Sequence, residues 1–237
     1  MSKVLLRLLQ VLVALALPFA LLIGNVQLLM HPRFVRIEYG RSGFPADTAI
    51  PPGGYPLSMP ERTALADAAL RSIVGAEGMR ALEEARFRET GMQAFNAREI
   101  GHMQDVRWLF QRARVVFWVA SLTLLLGGVL LLTWGRRSGW GRHALTRPLL
   151  VSVVATFSLA SALGLYILVG FGSFFTRFHR LFFKGNSWLF YRDDTLIRLF
   201  PTDFWFDAAA LIAGLTIVEL LIVGLAAWRW GRTTGQT

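Results

Sequence analysis

Few residues in this chain can move protons near neutral pH. It has four histidines, His31, His102, His143 and His179, and histidine is the side chain whose ordinary pKa suits that task. His102 lies in Glu99-Ile100-Gly101-His102-Met103-Gln104-Asp105, where Glu99, His102 and Asp105 recur every three residues along one side of a helix. His179 opens a run rich in aromatics and arginine, continuing through Gly185-Asn186-Ser187-Trp188 to Asp194 and Arg198. The Gly-Asn-Ser triplet reads as a turn, with Asn186 or Ser187 free to bond backbone or ligand, and Asp194 and Arg198 are spaced to pair at i,i+4. Two imidazoles from separate segments, beside Asp105, Asp194 and Arg198, can form a general acid–base pair, or less simply the axial ligands of a haem. His31, before Pro32, reads as a cap or interfacial residue.

Other chemistries have less material. Cysteine is absent, which excludes thiolate nucleophiles, disulfides, Cys-ligated zinc and iron–sulfur clusters. Neither a Gly-rich phosphate loop, nor a His-Glu-x-x-His pattern, nor a Gly-x-Ser-x-Gly elbow occurs. The sequence calls for no metal and no organic cofactor.

The elements that must carry these histidines follow from hydropathy. Of the 237 residues 54% are hydrophobic and 17% charged, against about 45–50% and about 25% in soluble domains. Four stretches are long and apolar enough to cross a bilayer: 8–30, 115–135, 148–176 and 207–228, the last interrupted by Glu219. The first is too long for a signal-peptide h-region and reads as a retained anchor, with Pro18 a possible kink. Glu219, inside a span, is a functional candidate or a protonated or helix-paired carboxyl facing the bundle.

Net charge is +10, and its distribution decides what it means. The N-terminus, the loop 136–147 and the tail 229–237 carry basic residues without acidic ones, whereas arginines in 31–114 and 177–206 are interleaved with acids. Unmixed positive charge beside spans marks the cytoplasmic side. Both termini and 136–147 are therefore expected in the cytoplasm, and 31–114 and 177–206 outside. The same pattern argues for membrane lipids and against nucleic acid.

The expected fold is an all-α membrane protein with four transmembrane helices, a mostly helical extracytoplasmic segment 31–114, and an aromatic-rich outer loop 177–206. The Pro- and Gly-rich stretch 31–57 reads as an extended cover. A capping box from Ser58 to Glu61 starts a helix over 59–73, a short helix follows at 77–90, and a second cap from Asn96 to Glu99 opens a helix at 97–114 that continues into the span 115–135. Residues 171–206 hold 13 of the 30 aromatics, as an interfacial belt requires.

Four spans, the motif Arg98-Glu99-Ile100-Gly101-His102-Met103-Gln104-Asp105-Val106 and the second loop His179…Lys184-Gly185-Asn186-Ser187-Trp188…Asp194-Thr195-Leu196-Ile197-Arg198…Phe204-Trp205 resemble the lipoprotein intramolecular transacylase (Lit) family of bacterial integral membrane proteins. The resemblance covers nearly the whole chain in layout and is specific in the two loop motifs. It implies a location in the bacterial cytoplasmic membrane with the site facing outside. It also implies an acyltransferase that moves the sn-2 acyl chain of a diacylglyceryl-modified lipoprotein to the α-amino group of the N-terminal cysteine, giving an N-acyl lyso-form. His102 and His179 fall at the family's catalytic positions. On this reading one imidazole is the base and the other the acid or oxyanion donor, either His102 as base oriented by Asp105 or the reverse, with Asp105, Asn186, Trp188, Asp194 and Arg198 binding substrate. The competing readings are a non-enzymatic membrane assembly or sensor protein, and a small transporter subunit built around Glu219.

Overall fold

The structure, a computed structural model, describes residues 3–137 and 140–232. Residues 138–139 of the expected loop and 233–237 of the expected tail lie outside the described residues. Eight helices follow in order among those described: α1 Lys3–Leu29, α2 Pro32–Tyr39, α3 Met59–Val74, α4 Arg80–Glu83, α5 Ala97–Arg137, α6 His143–Phe182, α7 Thr195–Leu199 and α8 Thr202–Arg232. The β pairing among the described residues is an isolated antiparallel bridge between Arg86 and Gln93. Helices α1, α5, α6 and α8 are each long and apolar enough to cross a membrane. The protein is an all-helical, multi-pass membrane protein.

The chain forms two compact units. The first gathers Met1–Val26, Ala113–Val169 and Ala210–Thr237. Its core is Leu6, Val13, Leu131 and Ala144, packed by Leu9, Leu124 and Leu149. Close approach requires a residue without a side chain at Gly127, where a Cβ would stand 2.6 Å from Val13 Cγ2. Apolar packing alone gives little drive between helices in lipid, so polar pins matter. Gln10 Nε2 donates to the Ala144 carbonyl at 2.8 Å, Ser152 Oγ to that of Ala14 at 2.6 Å, and Asn25 Nδ2 to Thr216 Oγ1 and Glu219 Oε2 at 3.0 and 2.9 Å. Glu219 is therefore paired across helices, one of the two expected states.

The second unit gathers Gln27–Arg112 and Gly170–Ala209 and holds both candidate imidazoles. Here several expectations change. The stretch 31–57 is not wholly extended: His31 caps α2, its Nδ1 accepting from Arg33 N at 3.2 Å, and Pro32 opens that helix where its missing N–H costs nothing. Helix α3 starts after Ser58, but Ser58 makes no side-chain cap. Glu61 instead accepts from the Tyr55 hydroxyl and from Arg88 N, binding two distant segments rather than its own helix end. The helix expected at 77–90 shrinks to α4. Glu83 and Glu84 sit at its C-terminal end, against the helix dipole, and Glu61 holds the Arg88 backbone in a loop that reverses at Gly91, φ +67°.

A buried ion pair ties this unit together. Arg198 meets Asp47 through two hydrogen bonds of 3.1 and 2.7 Å and donates a third to the Tyr55 carbonyl, with both charged side chains 2% exposed. Arg62, equally buried, donates to the carbonyls of Pro45 and Arg198, each at 2.8 Å. Burial alone raises the Asp47 pKa, but Arg198, the Leu57 N–H and Arg62 together hold it below the usual carboxylate value.

Helix α6 extends six residues past the expected span, so His179 lies on its last turns and not in a loop. Gly170 interrupts the helical geometry, and the segment beyond it belongs to the second unit.

Candidate active site

The site is built from the first turn of α5. Asn96 and Glu99 cap that turn reciprocally: Glu99 N donates to Asn96 Oδ1 at 3.0 Å, and Asn96 N to Glu99 Oε2 at 2.8 Å. Glu99, 1% exposed, also accepts from Leu196 N at 2.7 Å through its other oxygen. One carboxylate thus satisfies orphan donors at the starts of both α5 and α7. Asp194 completes the join, accepting from Asn96 Nδ2 at 2.8 Å, Arg98 at 2.6 Å and Tyr191 N at 2.7 Å. Burial pushes the Glu99 carboxyl up to about 7, against the lowering effect of the Leu196 and Asn96 N–H groups.

One turn along α5, His102 is 7% exposed. Its ring lies 6.0 Å from that of His179, centroid to centroid, with the planes at 25°. Phe183 at 4.9 Å and Phe190 at 5.2 Å meet the His102 ring edge-on. His179 is packed by Phe175 at 4.0 Å, Trp188 at 5.1 Å and Phe183 at 5.5 Å. The two imidazoles therefore face each other inside an aromatic enclosure.

Both lie outside the uncharged runs 115–135 and 148–176 of their helices, and their protonation differs in kind. His179 Nδ1 is 2.8 Å from the Phe175 carbonyl. A carbonyl only accepts, so Nδ1 carries the hydrogen and the neutral ring keeps its lone pair on Nε2. Burial lowers the His179 pKa below the ordinary 6.5, and this hydrogen bond offsets part of that. His102 has no such support: its Nδ1 is buried without a partner. Burial first, then His179 beside it, push His102 down to about 4. At neutral pH both rings are uncharged.

Of the other expected site residues, only Trp188 joins the imidazoles. Asp105 does not orient His102. It is exposed, and its Oδ2 meets Ser187 Oγ at 3.4 Å, since burying a carboxylate beside an uncharged imidazole carries a large desolvation cost. Asn186 is exposed on the turn. The side chains of Asp194 and Arg198 do not pair: Arg198 N reaches the Asp194 carbonyl at 3.1 Å, but the Asp194 carboxylate, at the N-cap of α7, turns back to Asn96, Arg98 and Tyr191 N, and the Arg198 guanidinium goes to Asp47. The residues missed were Asn96, Glu99 and Asp47. The capping spacing marks Asn96 and Glu99 as a helix start, and the three-residue spacing sets Glu99 on the side of His102, but neither signals its join to α7. Among the described residues, no group of three or more His, Asp and Glu side chains converges on a metal position.

A groove of about 670 Å³ opens on the same part of α6, lined by Gly172, Ser173, Thr176, Arg177 and Arg180. Neither imidazole lines it.

Comparison with known proteins accords with this architecture. The chain is 26% identical over 217 residues to an uncharacterised protein of Aquifex aeolicus (strain VF5), covering 92% of each. The solved structure of the membrane integral lipoprotein intramolecular transacylase Lit from Bacillus cereus superposes with a TM-score of 0.74 at 17% identity, covering 97% of this chain and 96% of that one. A variant of the same Bacillus cereus protein, carrying one histidine substitution, gives 0.66 at 16% identity over 98% and 96%. These alignments show a common fold. The family described as "Lipoprotein intramolecular transacylase Lit" matches residues 11–205, and on that match the chain belongs to the lipoprotein intramolecular transacylase family of membrane-integral acyltransferases.

Proposed function

We propose that the pair His102–His179 carries out the family's reaction here, moving the sn-2 acyl chain of a diacylglyceryl-modified lipoprotein to the α-amino group of its N-terminal cysteine. The observation that carries this reading is the 6.0 Å face-to-face placement of the two imidazoles in an aromatic enclosure, one with its Nδ1 held by a backbone carbonyl.

The reaction needs no co-reactant. The amine nitrogen attacks the ester carbonyl carbon, a C–N bond forms, and the carbonyl π pair moves onto oxygen. The nitrogen loses a proton. On collapse the C–O bond to glycerol breaks, and the glycerol oxygen takes that proton. Total mass is unchanged. Holding amine and carbonyl together is worth up to about 7–11 kcal/mol. Excluding water protects the ester from hydrolysis, and the aromatic walls supply that exclusion.

His179 is the better base. Its Nε2 lone pair is set by the Nδ1–H bond to Phe175, and general-base help of this kind is typically worth about 10²–10⁴ in rate. A base held at about 4, as His102 is, takes protons poorly at neutral pH. A neutral imidazole is instead suited to donate a hydrogen bond to the carbonyl oxygen as negative charge grows on it. Of the two orders open from the sequence, this is the one without Asp105, which does not support His102.

The segments 31–114 and 177–206 face outside and both termini the cytoplasm; the unmixed basic residues at Lys3, Arg7, Arg136, Arg137, Arg229 and Arg232 support this orientation. It brings the imidazoles to the leaflet where a lipoprotein anchor resides. The test is mass spectrometry of a diacylglyceryl lipoprotein co-expressed with this chain. One acyl group should pass from glycerol to the cysteine amine at constant total mass. Unaltered lipoprotein, or loss of an acyl mass by hydrolysis, contradicts the reading.

A further inference from the structure

Two buried side-chain nitrogens without hydrogen-bond partners sit on the rings around His179: His102 Nδ1 and Trp188 Nε1. Both residues are at least nine-tenths buried, at 7% and 9% exposure. The Trp188 atom is the more telling. An indole N–H is a donor only, so no change of tautomer relieves it. Leaving it buried and unpaired is costly, and a phenylalanine would fill much of the same space without that cost.

The placement of Trp188 is also specific. Helix α6 ends at Phe182, and a turn with Gly185 at φ +64° and Leu189 N bonded to the Asn186 carbonyl at 3.1 Å follows. That turn lays the Trp188 ring back on His179, nine residues earlier, at 5.1 Å and 35°. A buried donor that no protein group occupies, beside the proposed base, is what a transition state with a growing negative oxygen requires.

We propose that Trp188 Nε1–H is a catalytic hydrogen-bond donor, holding the ester oxygen as its charge develops during acyl transfer. This rests on the reading of His102 and His179 above. As the C–N bond forms, the carbonyl π pair moves onto oxygen, which accepts from Trp188 Nε1–H beside the hydrogen bond from His102. On collapse the pair returns, the glycerol C–O bond breaks, and the glycerol oxygen takes the proton that His179 received.

The test uses the full chain in detergent with a synthetic diacylglyceryl-cysteinyl lipopeptide as probe. Trp188→Phe should lower kcat by about 10²–10³, the usual effect of deleting one such donor, with KM within about threefold. Its Tm should not fall, because the N–H makes no bond in the resting protein. A kcat within about threefold of the parent overturns the proposal. If Trp188→Phe loses Tm as well, replacement of Trp188 by 3-benzothienylalanine, which keeps the ring shape but has sulfur for N–H, decides: a normal rate overturns the proposal, a low rate at normal Tm supports it. A His179→Ala control run alongside separates the two claims. If that variant stays active, the reading of the histidine pair has failed; if it is dead while Trp188→Phe is fully active, only the donor role has failed.

Discussion

His179 donates its Nδ1–H to the carbonyl of Phe175, one helical turn earlier, at 2.8 Å. A bond within the helix thus sets the tautomer of an imidazole that works outside it. Nitrogen NMR of the labelled protein should show Nδ1 protonated and Nε2 bare at neutral pH, with the His179 titration midpoint below 6.5. The acid limb of kcat should lie below 6.5 with it. The opposite tautomer, or a midpoint above 6.5, contradicts the assignment of His179 as base.

His102 predicts a pH effect on stability. Its pKa is pushed from 6.5 to about 4 in the folded protein, so between these values the unfolded chain binds a proton that the folded chain refuses. Stability from this group is complete above about 6.5 and is lost as pH falls toward about 4. Glu99, raised from 4.5 to about 7, works with the opposite sign: its contribution is present at low pH and is lost as pH rises through about 7. The clean measurement is therefore a difference. Acidification from about pH 7 to about pH 5 should lower the Tm of the parent more than that of His102→Gln. Equal shifts exclude the predicted depression.

Glu99 joins the starts of α5 and α7 through two backbone N–H groups. In Glu99→Gln one of those donors must face an amide NH₂, a loss of about 1–3 kcal/mol. Hydrogen exchange should accelerate over residues 191–199, and transacylation should fall. Unchanged exchange in this segment would remove the clasp from the account.

Asp47 and Arg198 form a buried ion pair. Removing one partner strands the other, so Arg198→Leu alone should cost about 3–5 kcal/mol, while the double variant Asp47→Leu with Arg198→Leu should recover part of that loss. Thermal unfolding of the parent, both single variants and the double variant measures it. Additive losses would mean the pair is uncoupled.

How far the sequence could be read depended on the range of each interaction. The spans were legible because the hydrocarbon thickness sets a length and excludes charge. The Asn96–Glu99 cap was legible because both partners lie within one turn. The union of His102 with His179 was legible because the charge pattern sets both on one side of the membrane and the family motif carries both, although nothing local joins positions 77 residues apart. The four-residue spacing points Arg198 to Asp194, yet its partner Asp47 lies in a Pro- and Gly-rich stretch with no periodicity. Asp105 was read as a support for His102 by spacing alone, and desolvation decided otherwise. Glu61 illustrates the same limit: the capping pattern was present, but Tyr55 and Arg88 took the carboxylate.

Glu219 separates an enzyme from a carrier. Asn25 Nδ2 donates to it, and Glu219→Gln keeps an acceptor oxygen at the same place. An interhelical bond of this kind is worth only about 0.6 kcal/mol on average, so folding should be little changed. Transacylation by Glu219→Gln should stay within about threefold of the parent. Abolished transfer in a folded Glu219→Gln protein would place this carboxyl in the function.

The most direct measurement follows the acyl chain itself. Purified parent, His102→Ala and His179→Ala, each shown to be folded, are given the same diacylglyceryl-cysteinyl lipopeptide, and the products are fragmented by mass spectrometry. The parent should yield the N-acyl lyso-form at unchanged mass, and each histidine variant should fall by at least about 10²-fold. N-acyl product at the parental rate from either variant contradicts the central claim.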